Sequence, residues 1–84
     1  MIYIAICDDN EKTAEILKNK VLAFLKENNV LADLTVYTQS LLLQYDIQEK
    51  KYFDIILSDI EMPDMDGMNL AGLVKQYLPE AFII

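Results

Sequence analysis

Short apolar segments alternate along the chain with longer segments whose apolar residues recur at helical spacing. Ile2–Cys7 is apolar throughout, which is typical of a strand buried on both faces of a sheet. From residue 10 to about residue 28, apolar residues return every three or four positions and share one side of a helix: Ala14, Leu17, Val21, Phe24 and Leu25. Asn10 is suited to cap the start of this helix. The pattern therefore predicts a strand followed directly by a helix.

The rest of the chain repeats this alternation. The further predicted elements are an edge strand over residues 33–37, a helix over 40–49, a strand over 54–58, a helix over 68–78 that Pro79 ends, and the start of a fourth strand over 81–84. Strands that alternate with helices predict an α/β fold with a parallel sheet. Right-handed crossovers, with helices on both faces, give the strand order 2-1-3-4.

Three acidic residues follow two of the predicted strands. Asp8 and Asp9 come directly after the first strand, and Asp59 comes directly after the third. In an open parallel sheet the ligand crevice lies outside the carboxyl ends of the strands, so these carboxylates are expected to converge there. Such a cluster indicates a magnesium-assisted phosphate site. Taken singly, Asp8 and Asp9 could also be acids that interact with a helix N-terminus, and Asp59 could be a turn residue.

Composition excludes several other classes of function. The 84 residues carry a net charge of −7, with seven lysines, no arginine and no histidine, so no basic stripe is available for a nucleic-acid backbone. A hydrophobic content of 54% is enough for one globular domain. Cys7 is the single cysteine and is expected to be a small buried strand residue. The apolar start lacks a basic region and is too short to span a bilayer, so we expect a cytoplasmic protein without membrane contact.

Two motifs carry a family resemblance. The letters CDD after the first strand and SDIEMPDMDG after the third resemble the receiver domain of bacterial two-component response regulators, a flavodoxin-like fold of the chemotaxis-receiver type. The surrounding ICDDN and LSDIEMPDMDG resemble receivers attached to DNA-binding domains of the LytTR type. The resemblance implies that Asp59 accepts a phosphoryl group from a sensor histidine kinase and that an output domain, absent from this chain, receives the signal. A phosphoacceptor of this kind is not expected to turn over an independent substrate as an enzyme does.

The resemblance also implies a set of magnesium ligands. We expect Asp9 and Asp59 to bind Mg²⁺ directly, Asp8 to hold a coordinated water, and the backbone carbonyl of Glu61 to be a further ligand. Pro63 and Gly67 are expected to shape the intervening loop together with Met62 and Asp66. This loop could serve only as a turn, but a calcium-binding loop is excluded because the positions that require carboxylates would be Met62 and Leu73.

Several parts of such a domain have no counterpart in these residues. We interpret residues 1–84 as the N-terminal part of a single receiver domain, truncated after the start of the fourth strand and therefore lacking the fifth strand and the last two helices. The family's later Ser or Thr and its Lys cannot be assigned. An alternative function is that of a truncated α/β fragment without regulated phosphorylation, which forms homo-oligomers through the uncovered edge of its last strand. An unrelated phosphohydrolase is a third possibility.

Overall fold

The computed structural model describes residues 1–58 and 67–84 of the chain. Strands and helices alternate in these residues as β1 (Ile2–Cys7), α1 (Glu11–Glu27), β2 (Ala32–Tyr37), α2 (Ser40–Gln48), β3 (Ile55–Ser58), α3 (Gly67–Tyr77) and β4 (Phe82–Ile83). The four strands are parallel and lie in the order β2-β1-β3-β4. The predicted flavodoxin-like architecture and strand order are confirmed.

Helices pack on both faces of the sheet, and successive side chains of each strand point to opposite faces. Ala5, Cys7 and Ile56 contribute to a buried core on the face that α2 and α3 cover. The same core takes in further apolar residues from β2, the helices and the segment before β3: Tyr37, Leu43, Ile47, Phe53, Leu70, Val74 and Leu78. Residues at alternate positions of these strands, such as Ile4 and Leu57, face α1. Two apolar faces explain why β1 reads as a continuous apolar run.

Asparagine residues begin and end α1. The Asn10 side chain accepts a hydrogen bond of 3.0 Å from the backbone N–H of Thr13, which satisfies one of the free donors of the first turn. At the other end, the N–H of Asn28 donates to the carbonyl of Phe24, and Asn29 has a φ of 53°. Asparagine tolerates this left-handed conformation better than most residues, so the chain reverses here toward β2.

One flank of α1 is uncovered, as the sequence led us to expect. Ala14 and Leu25 are buried as predicted, but Phe24 remains 63% exposed. It lies at an open apolar groove of about 440 Å³ between α1, the strands β1 and β3, and Ile84 just after β4; we call it the α1-side groove. The residues of the groove are all apolar: Ile2, Ile4, Val21, Phe24, Leu25, Val30, Ile55, Leu57 and Ile84. One helix is too narrow to cover this face of four strands, so the predicted helix stripe is only partly buried.

Several hydrogen bonds involve Asp54 just before β3. Asp54, predicted as the first residue of this strand, lies just before it. Its Oδ2 accepts a 2.8 Å hydrogen bond from the N–H of Tyr3, and its own N–H donates to the Tyr3 carbonyl. Its Oδ1 accepts a 2.6 Å bond from the hydroxyl of Tyr52, whose ring makes an edge contact with that of Tyr3. This arrangement joins the amino ends of β1 and β3.

Candidate functional site

The carboxyl ends of β1 and β3 lie side by side. In the parallel ladder Cys7, the last residue of β1, is the partner of Ser58, the last residue of β3. The next residue along the chain is Asp8 in one case and Asp59 in the other. The structure thus confirms that the two strand ends preceding the acids are adjacent. Asp59 itself lies outside the described residues, as do Glu61, Met62, Pro63 and Asp66.

Hydrogen bonds to both its backbone and its side chain hold Asp8 in place. Its N–H donates a 3.0 Å hydrogen bond to the carbonyl of Tyr37, the last residue of β2. Its Oδ1 accepts a 2.9 Å bond from the N–H of Asn10 just before α1, and the residue is only 7% exposed. A carboxylate at this place benefits from the positive end of the helix dipole. Asp8 is therefore a positioned, largely buried acid.

Asp9 has a different environment from its neighbour. It is exposed to solvent, between the end of β1 and the start of α1. Beside this pair is a cleft of about 270 Å³, whose wall includes Cys7, Asp8 and Ser58 together with the apolar side chains of Leu17, Leu57 and Ile84. The cleft opens between the ends of β1 and β3, where the two acid-bearing segments continue. One acid is thus fixed and the other is accessible.

The donor atoms of this pair fit a hard cation. Carboxylate oxygens are the ligands that Mg²⁺ prefers, and the ion commonly binds through one or two carboxylates plus waters and phosphate oxygens. Within residues 1–58 and 67–84, no group of three acidic, histidine or cysteine side chains could hold a metal by itself. Asp8 and Asp9 are the members of the predicted ligand set that the structure describes, whereas the other predicted ligands, Asp59 and Glu61, fall in the undescribed segment. Gly67, predicted to shape the loop, is the first residue of α3.

A partly buried polar cluster surrounds the side chain of Tyr37, the residue whose carbonyl bonds to Asp8, and was not predicted from the sequence. The Tyr37 hydroxyl donates a hydrogen bond to Asp46 of α2, and the Lys51 Nζ lies 3.9 Å from the same carboxylate. Lys51 also lies 5.5 Å from the centre of the Phe53 ring, which makes an edge contact with the Tyr37 ring. Burial and the bond to Asp46 raise the pKa of Tyr37 well above its usual value. The residue whose carbonyl holds Asp8 is thereby anchored to α2.

Sequence patterns offer little to reveal this cluster. Tyr37 and Asp46 are nine residues apart and belong to different elements, so no helical or strand periodicity relates them. Tyr37 is also the most deeply buried tyrosine among the described residues, at 7% exposure. Only the packing of α2 against the sheet brings the two groups together.

Comparison with known proteins agrees with this geometry. The family model described as "Response regulator receiver domain" matches residues 4–84. The chain belongs to this family. The receiver domain described here has Cys7 and Ser58 paired at the strand ends that precede its motif acids, as the parallel fold requires.

Curated relatives of this receiver domain support the assignment. Stress response regulator protein 1 of Candida dubliniensis is 37% identical over 71 residues, which cover 84% of this chain and 23% of the relative. Proteins of the same name are 35% identical over 71 residues in Candida albicans strain SC5314, covering 84% of the chain and 23% of that protein, and 31% identical over 70 residues in Candida tropicalis, covering 83% and 25%. The chain thus spans about a quarter of the length of these relatives. No solved structure matches it.

These comparisons do not test the predicted type of output domain. The relatives named above are fungal, and nothing in their names concerns an output domain of the LytTR type, which stays a prediction. None of the helices in the described part of the receiver domain is both long and apolar enough to cross a bilayer.

Proposed function

We propose that this receiver domain accepts a phosphoryl group on Asp59 in a two-component signalling pathway. The observation that carries the proposal is the pairing of Cys7 with Ser58, because it starts the segments of Asp8 and Asp59 from neighbouring positions at one edge of the sheet. Membership of the receiver family supports the same role. In the proposed step, a carboxylate oxygen of Asp59 forms a bond to phosphorus while the bond from phosphorus to the donor's leaving group breaks. The product is an aspartyl phosphate.

The acids after β1 are proposed to prepare this reaction. Asp9 is exposed and can bind Mg²⁺ directly, while Asp8 is fixed by Tyr37 and Asn10 and can orient a coordinated water. Asp59 and the carbonyl of Glu61 would complete the ligand set. When bound, Mg²⁺ offsets the repulsion between an anionic nucleophile and an anionic phosphoryl group. Mutual repulsion among the carboxylates should also fall when the cation is present.

The wider pathway is part of the same proposal. A sensor histidine kinase would supply the phosphoryl group, and an output domain outside these 84 residues would receive the signal. A transcriptional output is the form that the sequence resemblance favours. The charge added at Asp59 would act on the segment between β3 and α3. The receiver would hold its modification and would not turn over a separate substrate.

Intact-mass measurement after incubation with acetyl phosphate and Mg²⁺ tests the phosphoacceptor role. We expect one added phosphoryl group, absent from Asp59→Asn and from a sample treated with a chelator. Asp33→Asn is the matched control, since it removes the same charge at an exposed position of β2 near the opposite end of the sheet. Modification of Asp59→Asn to the same extent as the unchanged chain would contradict the proposal. No modification of the unchanged chain, with Mg²⁺ still bound, would favour the alternative of a fragment without regulated phosphorylation.

A further inference from the structure

The strand β2 forms an open edge of the sheet. Its residues, Ala32–Tyr37, pair with β1 on one side, and no other described strand pairs with them. This edge is the one farthest from β4, and the α1-side groove contains no residue of β2. In the flavodoxin-like order 2-1-3-4-5, β2 is an edge strand of the complete sheet as well. The open edge of β2 is therefore a property of the fold itself.

Alternate residues of β2 direct their backbone groups away from the sheet. The carbonyls of Leu31 and Tyr37 accept hydrogen bonds from N–H groups at the start and just past the end of β1, so the odd-numbered residues face β1. The backbone groups of Ala32, Leu34 and Val36 consequently point outward. The edge thus offers a regular row of N–H donors and carbonyl acceptors.

The β2 edge lacks most of the devices that usually protect edge strands from pairing. Proteins commonly place a proline, a lysine or a β-bulge on such a strand, or keep the strand very short. The sequence of β2 is ADLTVY, and its pairing with β1 continues without interruption along the whole strand. Asp33 is the one charged residue of the strand. An extended strand of another chain can therefore add to this edge.

We propose that the β2 edges of two copies of this chain pair in antiparallel orientation and join the two sheets. A twofold axis passes beside Leu34, so that this residue faces its counterpart and Ala32 faces Val36 of the second copy. Residues opposed in this way exchange both their N–H and their carbonyl bonds, so every outward group of the edge finds a partner. The proposal goes beyond the phosphoacceptor role and does not depend on it.

The side chains of β2 favour this register over its neighbours. In the proposed register Asp33 lies opposite Thr35 of the second copy. A shift of two residues in one direction would place the two Asp33 carboxylates opposite each other, where like charges repel. A shift in the other direction would place Ala32 opposite Thr38, which lies beyond the end of the strand. The central register therefore combines the most hydrogen bonds with the least repulsion.

A second copy is the occupant that the edge favours. Leu34 and Val36 lie on the α1 face of the sheet and are only partly buried. In the proposed pair these apolar side chains meet apolar residues of the other copy, which buries them further. A contact made by one strand is small and the net charge of −7 per copy opposes it, so the dimer is weak and added salt strengthens it. Because both edges are used, assembly stops at the dimer.

Sedimentation velocity over a concentration series tests the pairing. For the unchanged chain we expect a monomer–dimer equilibrium with a dissociation constant of about 100 μM. Thr35→Glu places an acid opposite Asp33 and should raise this constant by about threefold to tenfold. Gln48→Glu is the matched control, because it adds the same charge at an exposed position of α2. Leu34→Pro removes the central outward N–H, a change that an edge strand tolerates, and should be monomeric.

Disulfide formation in a mixture of two variants gives the decisive result. The proposed register places Asp33 and Thr35 of opposite copies with their Cα atoms about 4.5 Å apart, which a disulfide can span, whereas identical residues lie roughly 7–8 Å apart. An equimolar mixture of Asp33→Cys and Thr35→Cys should therefore form a covalent dimer on air oxidation, and each variant alone should not. The native Cys7 is buried and does not interfere.

Circular dichroism checks that each variant is folded, and Val36→Pro replaces Leu34→Pro if the latter is not. A mixture that does not cross-link, a monomeric unchanged chain, or self-association of Leu34→Pro equal to that of the unchanged chain would each overturn the proposal. The monomeric chain would leave the β2 edge to a strand of a different protein. Unimpaired Leu34→Pro would assign self-association to another surface.

Discussion

Replacement of Tyr37 by phenylalanine removes one hydroxyl and leaves the buried ring in place. The hydroxyl donates to Asp46, and a hydrogen bond to a charged group contributes about 1.5–3 kcal/mol to stability. The Asp46 side chain is 33% exposed, so water can replace part of the lost bond. We therefore expect Tyr37→Phe to lower the free energy of unfolding by about 1.5 kcal/mol at pH 7, near the low end of that range. With a urea m-value of about 1 kcal/mol/M for a chain of this size, the midpoint falls by roughly 1.5 M.

The same substitution should change how stability depends on alkaline pH. Burial and the bond to Asp46 raise the pKa of Tyr37 in the folded protein, which favours the protonated hydroxyl. Its contribution is therefore fully present below the unfolded pKa of about 10 and is lost as pH rises from there toward the folded pKa. At pH 11, ionisation in the unfolded chain should remove about 1.4 kcal/mol of the advantage over Tyr37→Phe. The two proteins should then be nearly equal in stability.

Urea denaturation at pH 7, 9 and 11, followed by circular dichroism, measures both effects. Comparison between the two proteins cancels the ionisation of lysines and other tyrosines, which both share. Tyr52→Phe is the matched control because the Tyr52 hydroxyl also donates to a carboxylate, that of Asp54, but at an exposed place. We expect a smaller loss at pH 7 for Tyr52→Phe. Equal stability of Tyr37→Phe and the unchanged chain at pH 7, or a difference that does not shrink at pH 11, would refute the reasoning.

Two further predictions concern the acids at the two ends of the sheet. Mg²⁺ at millimolar concentration should raise the thermal midpoint of unfolding, since a ligand that binds only the folded state stabilises it. Asp9→Asn should reduce this increase, while Asp33→Asn should not. Differential scanning fluorimetry measures the midpoint, and a midpoint that Mg²⁺ leaves unchanged in all three proteins counts against a metal site. Hydrogen bonds from Tyr3 and Tyr52 lower the pKa of Asp54, so its contribution should persist above the usual pKa of 3.8 and disappear as pH falls through the folded value. Urea midpoints of Asp54→Asn and the unchanged chain should therefore converge below about pH 4, and a gap that stays constant from pH 7 to pH 2 would contradict this.

Local sequence determined most of the receiver fold. The continuous apolar run of β1, the helical spacing after Asn10 and the proline after α3 each act within a few residues, so their structures could be predicted without knowledge of distant contacts. Strand order followed from the handedness of crossovers. The position of Asp8 at the end of β1 followed in the same way. The roles of Asp59, Glu61 and the loop residues Met62, Pro63 and Asp66 remain predictions, because those residues lie outside the described part of the chain.

Only the tertiary structure decided which residues of different helices and strands contact one another. Two hydrogen bonds, from Tyr37 to Asp46 and from Tyr3 to Asp54, join different parts of the fold. The exposed fraction of Phe24 depends on how α1 packs against the sheet. Periodicity shows that a residue is apolar on one face of a helix, but it does not show whether the facing sheet is wide enough to leave that residue uncovered. Hydrogen bonds between side chains of different elements depend on how those elements pack, and packing is a property of the whole sheet and its helices.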